Sequence, residues 1–342
     1  MNGPKSEDIQ VLNPGIFVNL EQDKLIGAKN LLSKLADSYI SGAWSCKKLD
    51  VFFEKLFRSG ILANNNEIIL VKWWNRLARN SLLDRLMPHM EDRAAFHHDL
   101  YITMLDNYMD YSCAIWDEDT DCLEQAQARK MDLLCRKLNI KSDNKVLVLQ
   151  CNYGGLVKYI QSRYCIEVIG CTDSRVQLAY AKKIYDLDLI YSNLLNYKSH
   201  NKFDSLLVVE GLEYLKVSQY GNFFKMAYDL LLGGGKILIQ CKVTNTEHDH
   251  ILDLATEYCL PYGTVNIEVL LKSIKGRFKI ENIDSINHHY PKSTAKWIHN
   301  LDKVGLDYDK SLLRLWKFYL SSIAGASKSN KLDVLQILLS KI

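Results

Sequence analysis

The sequence predicts an α/β protein with an open, seven-stranded, mostly parallel sheet over about residues 125–342 and a helical N-terminal domain over residues 1–92. Two observations lead to this prediction. In the first ninety residues, apolar side chains recur at helical spacing. From about residue 125 onward, short apolar runs alternate with helical stretches of roughly ten to fifteen residues. That alternation is typical of βαβ units, and therefore of a parallel sheet.

The N-terminal helices are predicted from periodic apolar positions. Residues 24–41 and 49–56 each bring Leu, Ala or aromatic side chains back at helical spacing. Residues 66–87 place Trp73 and Trp74 near one face beside basic side chains, which predicts an amphipathic helix. Such a helix could lie at a membrane interface, but packing against the next domain is the commoner fate.

Five apolar runs predict individual strands of the sheet. They are KVLVL at 145–149, EVIGC at 167–171, DSLLVV at 204–209, KILIQC at 236–241 and LDVLQILLS at 332–340. Sheets of this kind bind ligands at the carboxyl ends of their strands, where the strand order reverses. We therefore expect the functional site in the loops that follow these runs.

The loop after the first run is the best local candidate for a binding loop. VLVLQCNYGGLVKYI reads as a strand, a short turn and a helix. Gly154 and Gly155 stand where a backbone must turn sharply or approach a ligand closely. Two glycines alone are a weak indication, because many strand-to-helix turns carry them.

Composition favours a globular protein with reduced cysteines. The 342 residues are 48% hydrophobic and 24% charged. No run approaches the ~18 apolar residues of a membrane span, and the N-terminus lacks the apolar core of a secretory signal. The 9 cysteines form no CxxC pair, and the histidine pairs lack partners at zinc-site spacing. We therefore expect a cytoplasmic location and no metal site.

Charge is distributed unevenly along the chain. Residues 1–134 hold 15 Lys and Arg against 20 Asp and Glu, whereas residues 135–342 hold 28 against 20. The basic part suits an anionic partner such as a phospholipid surface, nucleic acid or a phosphorylated substrate, although a solvated lysine-rich surface is the commoner explanation. No motif that combines aromatic and basic residues for nucleic-acid binding is present, so we expect no nucleic-acid partner.

Several motifs between residue 36 and the end resemble those of the cyclopropane-fatty-acyl-phospholipid synthases. SYISGAWSCKKLDVFF is similar to the family's Y-x-x-G-x-W…L-D-x-F-F, MLDNYMDYSCAIW to its M-L-D-x-x-M-x-Y-S-C-A-Y-W, and LEQAQARKMDLLCRKLNIK to its L-E-x-A-Q-x-x-K helix. KFDSLLVVEGLEYLK, EYCLPYGTVN and FYLSSIAGASKSNKLDVLQILLSK match later family segments in the same order. The resemblance implies a Rossmann-like seven-stranded methyltransferase sheet, with a helical domain over 1–92 and a catalytic domain over 93–342.

The resemblance also implies a reaction. In this family the double bond of a phospholipid acyl chain takes the methyl group of S-adenosylmethionine, the resulting carbocation loses a proton, and a cyclopropane ring closes. Bound bicarbonate is the base, which must lie beside the new methyl group in a dry pocket. The implied partners are phospholipid acyl chains, reached by peripheral association with the inner face of the membrane. Whether the protein forms a homodimer is left open by the resemblance.

The positions that hold bicarbonate in the family carry a mixed set of residues in this chain. They are Cys113, Glu213, Gln240 in place of a histidine, and Tyr290. Glutamine can donate a hydrogen bond to an anion, but it carries no charge and cannot relay a proton. Seen alone, the cysteine would be an ordinary buried thiol and the tyrosine a core aromatic residue. Glu210 lies in the same turn as Glu213 but outside the family pattern, and we expect it to be solvated.

The positions that bind the cofactor in the family are divided in the same way. Where the family reads V-L-D-I-G-C-G-W-G-G, this chain reads VLVLQCNYGG, so that Gln150 and Asn152 replace two glycines. A side chain at positive φ costs on the order of 1–3 kcal/mol, less for asparagine. The ribose motif T-x-S-x-x-Q is kept. The predicted S-adenosylmethionine site consists of Tyr111, Ser112, Gln150, Asn152, Gly154, Thr172, Ser174, Gln177 and Asn193.

Two classes of function stay open on the sequence. One is an active cyclopropane synthase or related lipid methyltransferase, favoured by the retained ribose motif and bicarbonate-site side chains. The other is a non-catalytic relative that acts in lipid binding or interaction, favoured by the altered glycine loop and the missing histidine. No specific feature of the sequence favours a third class, an RNA or small-molecule methyltransferase of the same fold. We expect S-adenosylmethionine to bind weakly.

Overall fold

A computed structural model describes the protein over residues 9–11, 28–60, 93–244, 250–258, 260–261, 263–303 and 308–342. Within these ranges the helices are α1 (Ala28–Ile40), α2 (Leu49–Arg58), α3 (Arg93–Met104), α4 (Leu123–Leu138), α5 (Gly155–Tyr164), α6 (Arg175–Tyr180), α7 (Tyr220–Leu230), α8 (His250–Glu257), α9 (Ile267–Ser273), α10 (Tyr290–Asp302) and α11 (Lys310–Lys328). The strands are β1 (Ile9–Val11), β2 (Trp44–Cys46), β3 (Val146–Leu149), β4 (Val168–Thr172), β5 (Ile190–Tyr191), β6 (Phe203–Val209), β7 (Leu231–Thr244), β8 (Phe278–Ser285) and β9 (Leu332–Lys341). The predicted amphipathic helix at 66–87 lies outside the described residues.

The main sheet of the described chain has seven strands in the order β5-β4-β3-β6-β7-β9-β8. Strands β3 to β7 pair in parallel, and β9 runs antiparallel between β7 and β8. The predicted seven-stranded, mostly parallel sheet is therefore confirmed. The strand order reverses at β3, which has β4 on one side and β6 on the other. The loops after β3, β4, β6 and β7 consequently meet at one edge of the sheet.

The central strand β3 shows why these runs are apolar at every position. Leu147 and Leu149 belong to one buried hydrophobic cluster, whereas Val146 and Val148 belong to another. Successive side chains of a strand point to opposite faces. A strand covered on both faces is therefore apolar throughout, as in VLVL.

All five strands predicted from apolar runs are present, but two further strands of the main sheet were not predicted. The strand β5 has two residues, both exposed, and β8 is an edge strand whose sequence FKIENIDS is mostly exposed. Exposed and charged edge strands are common because they discourage pairing with other chains. At the N-terminus, the predicted helices at 24–41 and 49–56 correspond to α1 and α2.

The N-terminal helices pack on α11 near the end of the chain. The rings of Phe53 and Phe318 meet edge to face, with their centroids 4.8 Å apart. The guanidinium of Arg314 donates hydrogen bonds to the backbone oxygens of Tyr39 and Trp44. One hydrophobic cluster thus runs from α1 to α11. In the part of the chain that the structure describes, we find no helix with the length and apolar character that crossing a membrane requires.

Candidate active site

A cavity of about 560 Å³ opens at the carboxyl ends of the parallel strands. Its wall combines side chains that follow different strands, which is the position expected for a ligand site in this type of sheet. Its size falls within the usual range of small-molecule sites. The wall includes Tyr101, Tyr111, Gln150, Asn152, Tyr153, Asp173, Ser174, Gln177, Asn193, Glu210, Tyr214, Lys242 and Pro261.

The loop after β3 keeps a left-handed backbone at alternate positions. The angle φ is 52° at Gln150, 51° at Asn152 and 86° at Gly154. Glutamine adopts this conformation at a cost, and asparagine tolerates it better. The loop therefore has the backbone form of a glycine-rich loop despite its substitutions.

The side chain of Gln150 lies along the sheet edge. Its Nε2 donates a hydrogen bond to Oδ1 of Asp173 at 2.8 Å, which joins the loops after β3 and β4. A Cβ at Gly211 would lie 2.9 Å from the Cβ of Gln150, and a Cβ at Gly155 would lie 1.9 Å from the backbone oxygen of Tyr108. The loop is thus packed closely on both sides, and glycine is required at both contacts.

The three residues of the predicted ribose motif form one hydrogen-bonded unit. The hydroxyl of Thr172 donates to Oε1 of Gln177, and the Oγ of Ser174 accepts from the backbone N–H of Gln177 at 3.2 Å. Ser174 and Gln177 lie on the cavity wall, whereas Thr172 is buried behind them. Asn193 also lies on the wall. Thr172 therefore orients Gln177, while Ser174, Gln177 and Asn193 face the cavity.

Residues 108–112, which precede α4 and which we call the covering segment, contribute to the cavity wall and are held in place by a buried ion pair. Nζ of Lys130 lies 2.5 Å from Oδ2 of Asp110 and 2.6 Å from Oγ of Ser112. Gln127 donates through Nε2 to the backbone oxygens of Asp110 and Ser112, at 3.0 Å each. Ser112 is therefore part of the support. Tyr111, beside it, forms part of the cavity wall.

Next to the cavity lies a buried group of charged and amide side chains, which we call the ionic centre: Glu210, Glu213, Gln240 and Lys242. Oε1 of Glu210 accepts from the backbone N–H of Cys113 at 2.7 Å and from Nε2 of Gln240 at 3.1 Å. Its Oε2 lies 2.8 Å from Nζ of Lys242. The same Nζ lies 3.4 Å from Oε1 of Glu213. One lysine thus bridges two buried carboxylates.

The expectation that Glu210 is solvated is wrong. Its side chain is only 2% exposed, and that of Lys242 only 6%. The lysine reaches back from β7, and the carboxylate becomes buried because it pairs with that ammonium group. Sequence reasoning also missed Lys242. A lysine directly after the buried run KILIQC indicates a buried acidic partner, because an unpaired charge is too costly there.

Burial and proximity set the charges of the ionic centre. Burial opposes the charged form of Lys242, but Glu210 and Glu213 outweigh it and hold the pKa of the ammonium well above its usual range. Burial raises the pKa of Glu213, although Lys242 opposes the shift. Oε1 of Glu213 accepts from the backbone N–H of Lys242 at 2.8 Å. Its buried Oε2 has no hydrogen-bond partner among the described residues.

Among the described residues that line the cavity, none is one of the four predicted catalytic residues. Cys113 reaches the ionic centre through its backbone N–H, while burial raises the pKa of its thiol and keeps it neutral. Gln240 is oriented by Gln336, whose Nε2 donates to Oε1 of Gln240 at 2.9 Å. Tyr290 is buried at the start of α10 and lies edge-on to Trp297, with ring centroids 6.2 Å apart. Three of the predicted residues therefore converge on the ionic centre, and Tyr290 belongs to the neighbouring aromatic cluster.

The sheet and its helices form the Rossmann-like fold of methyltransferases, and solved structures share it. The cyclopropane synthase MmaA2 from Mycobacterium tuberculosis has a TM-score of 0.68 at 22% sequence identity, covering 75% of this chain and 99% of that chain. The mycolic acid cyclopropane synthase CmaA1, solved with SAH and CTAB, has a TM-score of 0.66 at 21% identity, covering 75% of this chain and all of that chain. Coclaurine N-methyltransferase has a TM-score of 0.69 at 17% identity, covering 92% of this chain and 100% of that chain.

Sequence comparisons give the family. The family model described as mycolic acid cyclopropane synthetase matches residues 89–337, so the chain belongs to this family. The cyclopropane-fatty-acyl-phospholipid synthase of Escherichia coli K12 is 27% identical over 350 residues, covering 100% of this chain and 90% of that protein. A probable fatty acid methyltransferase of Pseudomonas putida is 25% identical over 272 residues, covering 72% of this chain and 68% of that protein. The resemblance seen in the sequence is therefore confirmed.

Proposed function

We propose that the protein transfers a methylene group from S-adenosylmethionine to the double bond of a phospholipid acyl chain. The observation that carries this proposal is the cavity at the switch in strand order, whose loop keeps a glycine-type backbone at 150, 152 and 154. Membership of the cyclopropane synthase family supplies the reaction class. The alternative of a non-catalytic relative has no structural observation in its favour, because the altered loop retains its backbone form.

The residues around the cavity suit S-adenosylmethionine, which supplies an electrophilic methyl group when bound. We assign Ser174, Gln177 and Asn193 to the nucleoside end, because they present polar atoms on the wall after β4 and β5. We assign the backbone at Gln150 and Asn152, which lie on the wall, to the methionine end; Gly154 lies outside the wall. Hydrogen bonds among Thr172, Ser174 and Gln177 hold the side chains of Ser174 and Gln177 in place, which limits the entropy lost when a ligand binds.

The acyl chain needs an apolar route to the methyl group, and the aromatic wall offers one. Tyr101, Tyr111 and Tyr153 line the cavity and are largely buried against one another. The cavity wall also includes Tyr214, which is 47% exposed, and the nearby Val217 is 47% exposed as well. Contact with lipid would remove this apolar surface from water. We propose that this edge contacts the membrane surface peripherally.

Product analysis with a deuterated methyl donor tests the proposal. The protein is incubated with vesicles of an unsaturated phospholipid and S-adenosylmethionine that carries three deuterium atoms on its methyl group. We expect a cyclopropane fatty acid that retains two of the three deuterium atoms, because one is lost as the ring closes. A product that retains all three would instead indicate simple methylation. No product from a folded protein that binds the cofactor would support the non-catalytic alternative.

A matched pair of variants links the product to the cavity. Asn193→Trp places a large ring at the nucleoside end and should abolish product formation. Asn201→Trp makes the same change on an exposed position outside the cavity wall and should leave it unchanged. Circular dichroism of both variants establishes that they fold. Equal activity of the two variants would show that the reaction does not use this cavity.

A further inference from the structure

The hydrogen-bond donors around the ionic centre already hold an anion that belongs to the chain. Oε1 of Glu210 accepts from the backbone N–H of Cys113 and from Nε2 of Gln240, at 2.7 and 3.1 Å. Its Oε2 lies 2.8 Å from the ammonium of Lys242. Cys113 and Gln240 stand at two of the positions that the family resemblance assigns to bicarbonate. A carboxylate offers donors the same pair of oxygens as a bicarbonate ion does.

A free bicarbonate ion does not fit this arrangement. Within the described residues, ion-pair contacts join Lys242 with both Glu210 and Glu213, so that one ammonium already faces two carboxylates. A further anion would be the third negative charge around one positive charge. Both glutamate side chains are 2% exposed or less, so water does not screen that repulsion.

The backbone at Glu210 is strained in a way that places its carboxylate. Its φ is 46°, a left-handed conformation that is uncommon for glutamate. Its backbone N–H donates to the backbone oxygen of Gln240 at 2.7 Å, which fixes the turn to β7. Such strain persists only where the surrounding structure imposes it, and it concentrates at functional sites. The strained residue is also part of the cavity wall.

We propose that Glu210 replaces bicarbonate as the base of the reaction, an inference that rests on the proposed function. In the ring-closing step the carboxylate of Glu210 takes a proton from the newly transferred methyl carbon. The electron pair of that C–H bond forms the last bond of the ring, and the positive charge of the carbocation is neutralised. A carboxylate held by a lysine is basic enough, because a proton beside a carbocation is far more acidic than a carboxylic acid. Lys242 and Gln240 are positioning residues that aim the carboxylate.

Replacing the carboxylate of Glu210 by bicarbonate or formate from solution tests the proposal. Glu210→Gly removes the carboxylate, leaves space for an anion and suits the positive φ, because glycine accepts that conformation without strain. In buffer free of carbon dioxide, the natural protein should be fully active, and added bicarbonate should change nothing. Glu210→Gly should lose about a hundredfold in turnover, the usual contribution of a general base, and should regain activity with bicarbonate or formate. Glu210→Gln fills the site without charge and should be inactive with or without either anion.

Anion binding gives a second readout that does not depend on turnover. Carbon-13 bicarbonate, followed by the broadening of its NMR line, should bind Glu210→Gly saturably and should not bind the natural protein or Glu210→Gln. If that pattern appears while no protein forms cyclopropane product, the occupation of the anion site by Glu210 stands, whereas the proposed function and the role of Glu210 as its base fall. Saturable binding of bicarbonate to the natural protein would overturn the proposal. So would natural-level turnover by Glu210→Gln, and these two results remain decisive even if the glycine variant fails to fold.

Discussion

The cofactor loop after β3 and the ionic centre accommodate unusual residues in opposite ways. The loop keeps the left-handed backbone of a glycine-rich turn while carrying side chains at Gln150 and Asn152. The ionic centre instead contains two charged side chains, Glu210 and Lys242, that fill its interior and pair with each other. A site that works through its backbone tolerates single substitutions at the cost of moderate strain. A site that works through buried charges tolerates only paired ones.

Removing the lysine that Glu210 and Glu213 share should destabilise the protein most. Lys242→Met leaves Glu210 and Glu213 buried without their ammonium partner, and removing one member of a buried ion pair costs about 3–5 kcal/mol. We expect a loss of that size in the free energy of unfolding, measured by urea denaturation. Adding Glu210→Gln to Lys242→Met should recover part of it, because the two groups interact directly.

A surface lysine provides the control for that variant. Lys182 also contacts two carboxylates, Asp186 and Asp188, but these groups are exposed. Lys182→Met should leave the urea midpoint nearly unchanged, since exposed ion pairs contribute little. An equal loss from the two lysine variants would contradict the special role of burial in the ionic centre.

Asp106 is a buried carboxyl group with no ion-pair partner among the described residues, and it provides a second test of how burial affects a charge. Burial and the neighbouring Asp110 raise the pKa of Asp106 from 3.8 to about 7, and its buried Oδ2 has no hydrogen-bond partner among the described residues. The folded protein therefore binds a proton more tightly than the unfolded chain, and stability falls as pH rises from about 4 to about 7. Asp106→Asn should remove this loss. Because one pKa unit corresponds to about 1.4 kcal/mol, the variant should gain on the order of 4 kcal/mol above pH 7 and nothing below pH 4.

Denaturation at several pH values measures this difference in stability between Asp106→Asn and the natural protein. Asp117, whose pKa is shifted in the opposite direction, serves as the control. The Thr120 hydroxyl, which hydrogen-bonds to the exposed Asp117, together with Arg129 lowers the pKa of that carboxyl. The contribution of Asp117 is therefore present at neutral pH and lost on acidification. A pH-independent gain from Asp106→Asn would show that ionisation of this carboxyl is not the cause.

A smaller effect is expected where the cofactor loop touches the covering segment. At Gly155 a methyl group would lie 1.9 Å from the backbone oxygen of Tyr108, and this contact can be relieved only by backbone movement. Gly155→Ala should cost about 1–3 kcal/mol of stability, the usual range for overpacking. At Gly221, which has open space around it in α7, the same change should be neutral or slightly stabilising. Thermal unfolding of the two variants makes the comparison, and equal midpoints would contradict the close packing of the loop.

Much of the fold was predictable because burial on both faces leaves a direct trace in the sequence. VLVL at β3 is apolar at each position since each face meets its own cluster. The edge strand β8 left no such trace because solvent covers most of it. The ionic centre was only half predictable. Glu213 stood in a matched motif, whereas the burial of Glu210 depends on Lys242, which lies 32 positions later and reaches it only after β6 and β7 pair.

Calorimetric titration with S-adenosylmethionine measures whether the loop after β3 still forms a cofactor site. The natural protein is compared with the double variant Gln150→Gly with Asn152→Gly. Since the backbone already has the required φ values, the side chains alone should weaken binding, by about 1.4 kcal/mol or tenfold in Kd. We predict saturable binding to both proteins, with the double variant binding about tenfold more tightly. No binding to either protein at millimolar cofactor would contradict the assignment of this cavity as the site of a methyltransferase.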